Sequence, residues 1–269
     1  MADVVLLEVA DRVATVTLNR PQARNAMSSE LIATLARLVG EADTRADVDI
    51  LILTGTDPAF CAGLDLKELG RDGGPLKDLA PDGTTADGAG SPRSRRGHRT
   101  TLPTAKPIIG AVNGAAVTGG LELALNCDFL VASDRARFAD THARVGVHPL
   151  WGLTVLLPQA VGIRRAREMS TTGNFIDAHQ ALTWGLVNHV VDHDLLLPFA
   201  RRLAADIVSS DQHALRAILA TYESASRVPG AEAWEVEARA AAAFQRGGVD
   251  PAEIESRRRA VVDRGRSQA

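Results

Sequence analysis

Two adjacent glycines and a nearby carboxylate occupy one short stretch of the chain, N-G-A-A-V-T-G-G-L-E-L-A-L-N-C-D at residues 113–128. Gly119 and Gly120 follow an apolar run and open a helix-like pattern that contains Glu122. The first N–H groups of a helix lack intrahelical acceptors, so bare glycines there let those donors face a ligand oxygen. Alternatively, the glycines only permit a tight turn, and Glu122 only favours the helix N-terminus.

A second glycine turn lies in F-C-A-G-L-D-L at residues 60–66. Gly63 permits an unusual turn there, and Leu64 can then present its N–H outward. If Leu64 and Gly119 converge in space, they form an oxyanion hole, which stabilises charge developing on a carbonyl oxygen. Cys61 is a candidate thiol nucleophile, but no histidine is obviously placed to activate it, which favours a small buried residue.

Alternating strands and helices must position these turns. The predicted strands are 4–9, 13–18, 50–53, 108–112, 129–132 and 187–191. The first two form a hairpin, and a helix capped by Ser28 or Ser29 runs to Gly40. Residues 70–97, rich in Gly, Pro, Asp and Arg, are interpreted as a mobile loop. Repeated strand, turn and helix units predict an α/β fold with a largely parallel sheet.

The composition narrows the class of protein. The chain has 269 residues, 45% of them hydrophobic, so it can bury a sizeable core. A net charge of −3 argues against a nucleic-acid partner. Two cysteines form neither a disulfide framework nor a metal-ligand cluster. The N-terminus lacks a signal-peptide pattern, and no apolar stretch approaches the ~20 residues of a membrane span, so we expect a cytoplasmic protein without a membrane partner.

Three motifs in order give the chain a family resemblance. N-R-P-Q-A-R-N-A-M, F-C-A-G-L-D-L and N-G-A-A-V-T-G-G-L-E-L-A together resemble the enoyl-CoA hydratase/isomerase (crotonase) superfamily, over about residues 13–191. The resemblance implies a spiral of ββα units over residues 1–194 and a C-terminal helical region, 195–269, that packs subunits into homotrimers or pairs of trimers. It also implies an acyl-CoA thioester substrate and no cofactor beyond the CoA of that substrate.

The resemblance also implies roles for individual residues. The N–H groups of Leu64 and Gly119 would bind the thioester oxygen. The residues expected on the substrate-binding side are Arg24, Ala26, Ala62, Asp65 and Trp151. Arg24 can meet a phosphate and Ala26 the adenine-ribose end of CoA, while Asp65 is interpreted as structural, orienting the turn or capping the next helix. Trp151 either narrows the acyl pocket or belongs to the core.

Glu122 matches one of the two acid/base glutamates of the family's hydratases. In R-F-A-D-T-H-A-R-V-G, aligned on Phe138 and Gly146, the position of the second glutamate holds His142. His142 can replace that glutamate by facing the substrate across from Glu122, since imidazole exchanges protons near neutral pH. Alternatively, it turns away to hydrogen-bond a neighbour such as Asp140.

These residues favour one function and leave others open. The leading interpretation is an enoyl-CoA hydratase that adds water to a trans-2-enoyl-CoA, with Glu122 as the principal acid/base. The alternatives inside the superfamily are an isomerase, a hydrolase or a decarboxylase that uses the same oxyanion hole. A non-catalytic acyl-CoA binder or RNA-binding relative is the alternative of a different class, favoured by the missing second glutamate.

Overall fold

A six-stranded sheet forms the body of the fold. The computed structural model describes residues 3–74 and 102–210, together with isolated helical residues farther on. In spatial order the strands are β1 (Val5–Ala10), β2 (Val13–Leu18), β3 (Ile50–Gly55), β5 (Ile108–Val112), β7 (Phe129–Ser133) and β10 (His189–Val191). The pair β1 and β2 is antiparallel, and all the other pairs are parallel. The predicted hairpin and the largely parallel sheet are therefore confirmed.

A second sheet of very short strands lies beside the first. Its strands, in order, are β4 (Ala59–Cys61), β6 (Ala115–Val117), β8 (Arg137–Ala139) and β9 (Ile176–Asp177). The strands β3, β5 and β7 are each followed along the chain by β4, β6 and β8, respectively. The sequence did not predict this sheet, because strands of two or three residues are too short to show an alternating pattern.

Helices complete the repeating unit. They are α1 (Ser29–Thr44), α2 (Leu66–Asp72), α3 (Gly119–Leu125), α4 (His142–Val145), α5 (Leu153–Val161), α6 (Ile163–Thr172), α7 (Ala178–Trp184) and α8 (Leu196–Val208). The helices α2, α3 and α4 each follow a strand of the short sheet, which gives three successive ββα units. The glycine turns and His142 therefore lie at corresponding places in successive units, where a short strand leads into a helix.

The two faces of the large sheet are covered by different elements. Along β3, Leu51 and Leu53 belong to the main core, which includes the buried face of α1. The alternate residues Ile50 and Ile52 pack in a second cluster with α8. Successive side chains of a strand point to opposite faces, so this alternation buries β3 on both sides. The predicted C-terminal helical region thus begins with a helix that packs on the sheet.

The first helix is longer than predicted. Ser28 is its N-cap, as predicted, with the hydroxyl oxygen accepting the Leu31 N–H at 3.2 Å. The predicted end at Gly40 is wrong, because α1 continues through this residue to Thr44. A glycine inside a helix costs about 1 kcal/mol, and the burial of the following turn at Ala42 offsets this cost.

The predicted loop 70–97 also begins too early. Helix α2 continues to Asp72 and ends at Gly73, which adopts a left-handed conformation with φ of 82°. Residues 75–101 lie outside the described part of the chain, as do most residues after 210, so the predicted mobility stays a prediction. Within the described ranges, no helix has the length and apolar character needed to cross a membrane.

Candidate active site

Glycine occupies the first two positions of α3 for different structural reasons. A Cβ at Gly120 would overlap the backbone carbonyl of Cys61, so this glycine lets α3 pack directly on β4. A Cβ at Gly119 would lie 2.7 Å from the Cε of Met27, at the end of a flexible side chain. Gly120 is therefore required by packing. Gly119 avoids close contact with the side chain of Met27.

The turn that carries Leu64 lies directly against the start of α3. Gly63 has a φ of 93°, and a Cβ there would lie 3.4 Å from the Gly119 nitrogen. Met27 pairs with this turn by donating to the Gly63 carbonyl at 2.8 Å and accepting from the Asp65 N–H at 3.0 Å. This pairing uses the groups on either side of Leu64. Among the described residues, the N–H groups of Leu64 and Gly119 have no hydrogen-bond acceptor, so two free donors lie close together.

Thr118, the residue before Gly119, is held in a strained conformation. Its φ and ψ are 56° and −112°, a region that β-branched residues rarely adopt. Its N–H donates to the Ala139 carbonyl at 2.8 Å, and its hydroxyl contacts the Thr141 hydroxyl at 2.5 Å and accepts the Thr141 N–H at 3.1 Å. Such strain costs about 1–3 kcal/mol and persists only where surrounding contacts enforce it. These contacts fix the start of α3 against the segment that follows β8.

The Glu122 carboxylate is buried and held by backbone amides. Its side chain is only 1% exposed. Its Oε1 accepts the N–H groups of Trp151 at 2.8 Å, Leu150 at 3.1 Å and Leu153 at 3.4 Å. Because these three donors converge on Oε1, they fix the orientation of the carboxylate and leave Oε2 for other partners.

His142 contacts two carboxylates through its two ring nitrogens. Its Nε2 lies 3.4 Å from Oε2 of Glu122, and its Nδ1 lies 2.7 Å from Oδ1 of Asp140. The sequence left open whether the ring faces Glu122 or turns away to Asp140. The structure combines both contacts, because the two nitrogens lie on opposite sides of the ring. His142 therefore faces Glu122 through Nε2, while Asp140 binds the ring through Nδ1.

These contacts determine the charge on the ring. Burial lowers the pKa of His142, but the hydrogen bonds and charges of Asp140 and Glu122 outweigh burial and raise the pKa to about 9. Burial raises the pKa of Asp140, but the hydrogen bond and the charge of His142, with a smaller effect of the Ser170 hydroxyl, outweigh it and lower the pKa below its usual range. At neutral pH the ring is therefore an imidazolium between two carboxyl groups.

Trp151 lies beside Gly119 and also contributes to the core. Its ring atom Cζ3 lies 3.4 Å from the position of a Cβ at Gly119, so the ring lies against this glycine. The half-buried ring also packs against the main core. Its carbonyl accepts from the Asn126 side chain at 2.8 Å, while its N–H donates to Glu122. The two interpretations of Trp151 are therefore compatible.

The predicted CoA-binding segment lies next to the Leu64 turn. The Arg24 carbonyl accepts the Ala62 N–H at 3.0 Å, and the Arg24 side chain is exposed. The Ala26 N–H already donates within its own turn, and the Ala26 carbonyl accepts from Arg20 at 2.5 Å. Asn25, fully buried between them, donates to two carbonyls of the β3–β4 turn. A further hydrogen bond to the Ala26 backbone must therefore be accepted by the second lone pair of the carbonyl oxygen.

Asp65 has the structural contacts predicted for it. It is the N-cap of α2, with Oδ1 accepting the N–H groups of Lys67 at 3.1 Å and Glu68 at 3.4 Å. Its Oδ2 forms an ion pair with Arg20 at 2.9 Å. With both oxygens engaged, Asp65 positions the Leu64 turn, and its assignment to substrate binding stays a prediction.

Cys61 is not a nucleophile in this environment. Its side chain is fully buried, and burial raises the pKa of the thiol to about 12, so the reactive thiolate is absent near neutral pH.

Three supporting residues were not assigned to the site from the sequence: Arg20, Thr118 and Thr141. Arg20 is separated from Asp65 by 45 positions, and no local pattern signals such a pair. Thr118 directly precedes the glycine pair, and this position was the one signal in the sequence that could have assigned it to the site.

The chain was compared with known proteins. Residues 8–248 match the sequence profile of the enoyl-CoA hydratase/isomerase family. "Probable enoyl-CoA hydratase 1, peroxisomal" of Arabidopsis thaliana is 38% identical over 200 residues, covering 74% of this chain and 71% of the relative. (E)-benzylidenesuccinyl-CoA hydratase of Thauera aromatica is 38% identical over 209 residues, covering 77% of each chain. The crystal structure of enoyl-CoA hydratase from Mycobacterium smegmatis is 49% identical, has a TM-score of 0.78, and covers 91% of this chain and 100% of that one. The chain therefore belongs to the enoyl-CoA hydratase/isomerase (crotonase) family.

Proposed function

We propose that this enoyl-CoA hydratase uses Glu122 and His142 as its acid/base pair and the N–H groups of Leu64 and Gly119 as its oxyanion hole. The observation that carries the proposal is the 3.4 Å contact between Glu122 Oε2 and His142 Nε2. Glu122 lies on α3, the helix that begins with the free Gly119 donor. Two proton-transfer groups and two charge-stabilising donors therefore belong to one site.

The hole acts on the thioester carbonyl. As water adds to the β-carbon, the π electrons of the double bond move toward the carbonyl oxygen, and an enolate develops there. The amides of Leu64 and Gly119, with the N-terminus of α3, stabilise this charge. Loss of one such donor typically costs about 10²–10³ in rate. Both are backbone groups, so a side-chain change affects them only through the shape of their turns.

The acid/base pair acts on the two carbons of the double bond. Hydration removes one proton from water and adds one proton to the α-carbon, so the site needs a base and an acid. Glu122 and His142 are in direct contact and buried, which excludes competing bulk water and fits this double task. The reaction requires no cofactor beyond the CoA that belongs to the substrate.

The substrate class follows from the family, while the acyl group stays open. The relatives carry the names of different hydratases, one for enoyl-CoA and one for (E)-benzylidenesuccinyl-CoA. The Trp151 ring lies against Gly119, and we expect it to narrow the space for the acyl group. We expect Arg24, Ala26 and Ala62 to lie along the CoA portion, because their turns adjoin Leu64.

The test follows the ultraviolet absorbance of 2-enoyl-CoA thioesters of increasing acyl length, since hydration removes the conjugated double bond. The Glu122→Gln variant preserves the shape and the acceptor for the three amides, and we expect it to lose about 10²–10⁴ in rate. Glu168→Gln, an exposed change on α6, is the matched control. Calorimetry with an acyl-CoA separates binding from turnover.

Two results would contradict the proposal. Wild-type turnover by Glu122→Gln would assign the proton transfer to another group. Binding of every 2-enoyl-CoA without any loss of absorbance would make the protein an acyl-CoA binder.

Assembly and location extend the proposal. We expect homotrimers or pairs of trimers on the basis of the family resemblance, and a cytoplasmic location on the basis of the sequence pattern. Light scattering would then give a mass of three or six times the 28.5 kDa chain. A mass equal to one chain would exclude that assembly.

A further inference from the structure

Asp140 is a buried carboxylate outside the pair of groups that the reaction requires. It is 2% exposed and lies on the far side of the His142 ring from Glu122. Its Oδ1 accepts both the ring Nδ1–H at 2.7 Å and the backbone N–H of His142 at 3.1 Å. The Ser170 hydroxyl on α6 contributes to the lowered pKa of the Asp140 carboxyl. The backbone N–H of His142 thus fixes the Asp140 carboxylate beside the ring of the same residue.

We propose that Asp140 is a positioning residue that keeps His142 protonated with Nε2–H directed at the reaction centre, so that His142 is the general acid and Glu122 the general base. The proposal rests on the proposed hydratase function. It goes beyond that function because it divides the two proton transfers between the side chains and adds a residue that does not touch the substrate.

With the two proton transfers divided in this way, every proton and electron pair of the hydration is accounted for. Glu122 Oε2 takes a proton from water, the water oxygen bonds to the β-carbon, and the π pair moves to the enolate held by the hole. The enolate then re-forms the carbonyl as the α-carbon takes the proton from His142 Nε2. This leaves a neutral imidazole and a protonated Glu122. Transfer of that proton across the 3.4 Å contact restores both groups, so no proton from bulk water is needed.

Few other charged groups bear on the ring. Helix α3 supplies Glu122, and the segment before α4 supplies Asp140, while α6 supplies the uncharged hydroxyl of Ser170. Arg144, on the same helix as His142, donates to the Thr172 carbonyl instead. The raised pKa of His142, about 9, is the result of two carboxylates acting on one buried ring. Removing the Asp140 charge therefore removes one of the two causes.

The test is Asp140→Asn. The asparagine oxygen can still accept both hydrogen bonds from His142, so the variant removes charge while preserving geometry. In the wild type, kcat/KM should fall as pH rises through about 9, because His142 then loses its proton. In Asp140→Asn this alkaline limb should move down by about one unit or more, which is a loss of at least about fivefold in activity near pH 9, approaching about tenfold at higher pH, with little change near pH 6.

Asp177→Asn is the matched control. Asp177 likewise accepts a backbone N–H near the start of a helix, with Oδ1 accepting the Gln180 N–H at 2.8 Å at the start of α7, and it does not contact His142. Its replacement should leave the alkaline limb of the pH profile in place. If Asp140 only caps α4, Asp140→Asn would likewise change stability and leave the limb unmoved, which would overturn the proposal.

A titration of the His142 ring by ¹⁵N NMR provides the readout that does not depend on turnover. The wild-type ring should stay protonated to about pH 9, and the Asp140→Asn ring should titrate about one unit lower or more. A wild-type ring that titrates near its ordinary value would overturn the proposal even if the variant does not fold. Absence of hydration by the wild type would instead overturn the proposed function and the division of protons with it, whatever the titration gives.

Discussion

The charge on His142 should contribute to folding stability in a way that depends on pH. The pKa of the folded ring is about 9, against an ordinary value of 6.5 in the unfolded chain. The folded state therefore binds the proton more tightly. The contribution is fully present below about pH 6.5 and is lost as pH rises through about 9. The difference in pKa, at 1.36 kcal/mol per unit, corresponds to about 3 kcal/mol, and the complete burial of the ring leaves little solvent to screen it.

Urea unfolding of the wild type and of His142→Gln at about pH 6 and about pH 10 measures this contribution. Other groups titrate in both proteins, so the informative quantity is the change with pH in the difference between their free energies of unfolding. We expect the advantage of the wild type to shrink by about 3 kcal/mol at the higher pH. A difference that stays constant across this range would refute the assignment of a proton to the buried ring.

Four further predictions concern the packing of the fold and its buried groups. Gly120→Ala should lower the free energy of unfolding by about 1–3 kcal/mol or more, because its Cβ meets backbone of Cys61. Gly40→Ala, with open space around the Cβ, should instead raise it by up to about 1 kcal/mol, and equal melting temperatures would contradict both. Cys61 should resist a thiol reagent in the native protein and react only after unfolding; labelling of the folded state at neutral pH would show that the thiol is accessible. Asn25→Ala should cost about 1–3 kcal/mol for each of the two carbonyls it leaves without a donor, and a thermal melt like that of the wild type would show that water replaces the amide.

The sequence predicted the elements with long patterns and singled out the two glycine turns. The hairpin, the buried strands and the Ser28 cap depend on neighbouring residues, so local patterns were sufficient. The convergence of Leu64 and Gly119 depends on packing between segments more than fifty residues apart, and only the family resemblance indicated it. The orientation of His142 could not be predicted either, because the sequence alone presents Glu122 and Asp140 as alternative partners of the ring. One ring can bind both, since its nitrogens point in opposite directions.

The amides that hold Glu122 belong to the same segment, 150–153, that carries the Trp151 side chain against Gly119. In the proposed function, the backbone of this segment supports the base, whereas the Trp151 side chain shapes the acyl space. A substitution at Trp151 can thus change which thioester fits without removing any donor to the base. The acyl preference can therefore change at this single position while the acid/base residues are retained. A library randomised at this position, with Gly152 kept for the left-handed turn that begins α5, offers a direct route to altered substrate selectivity.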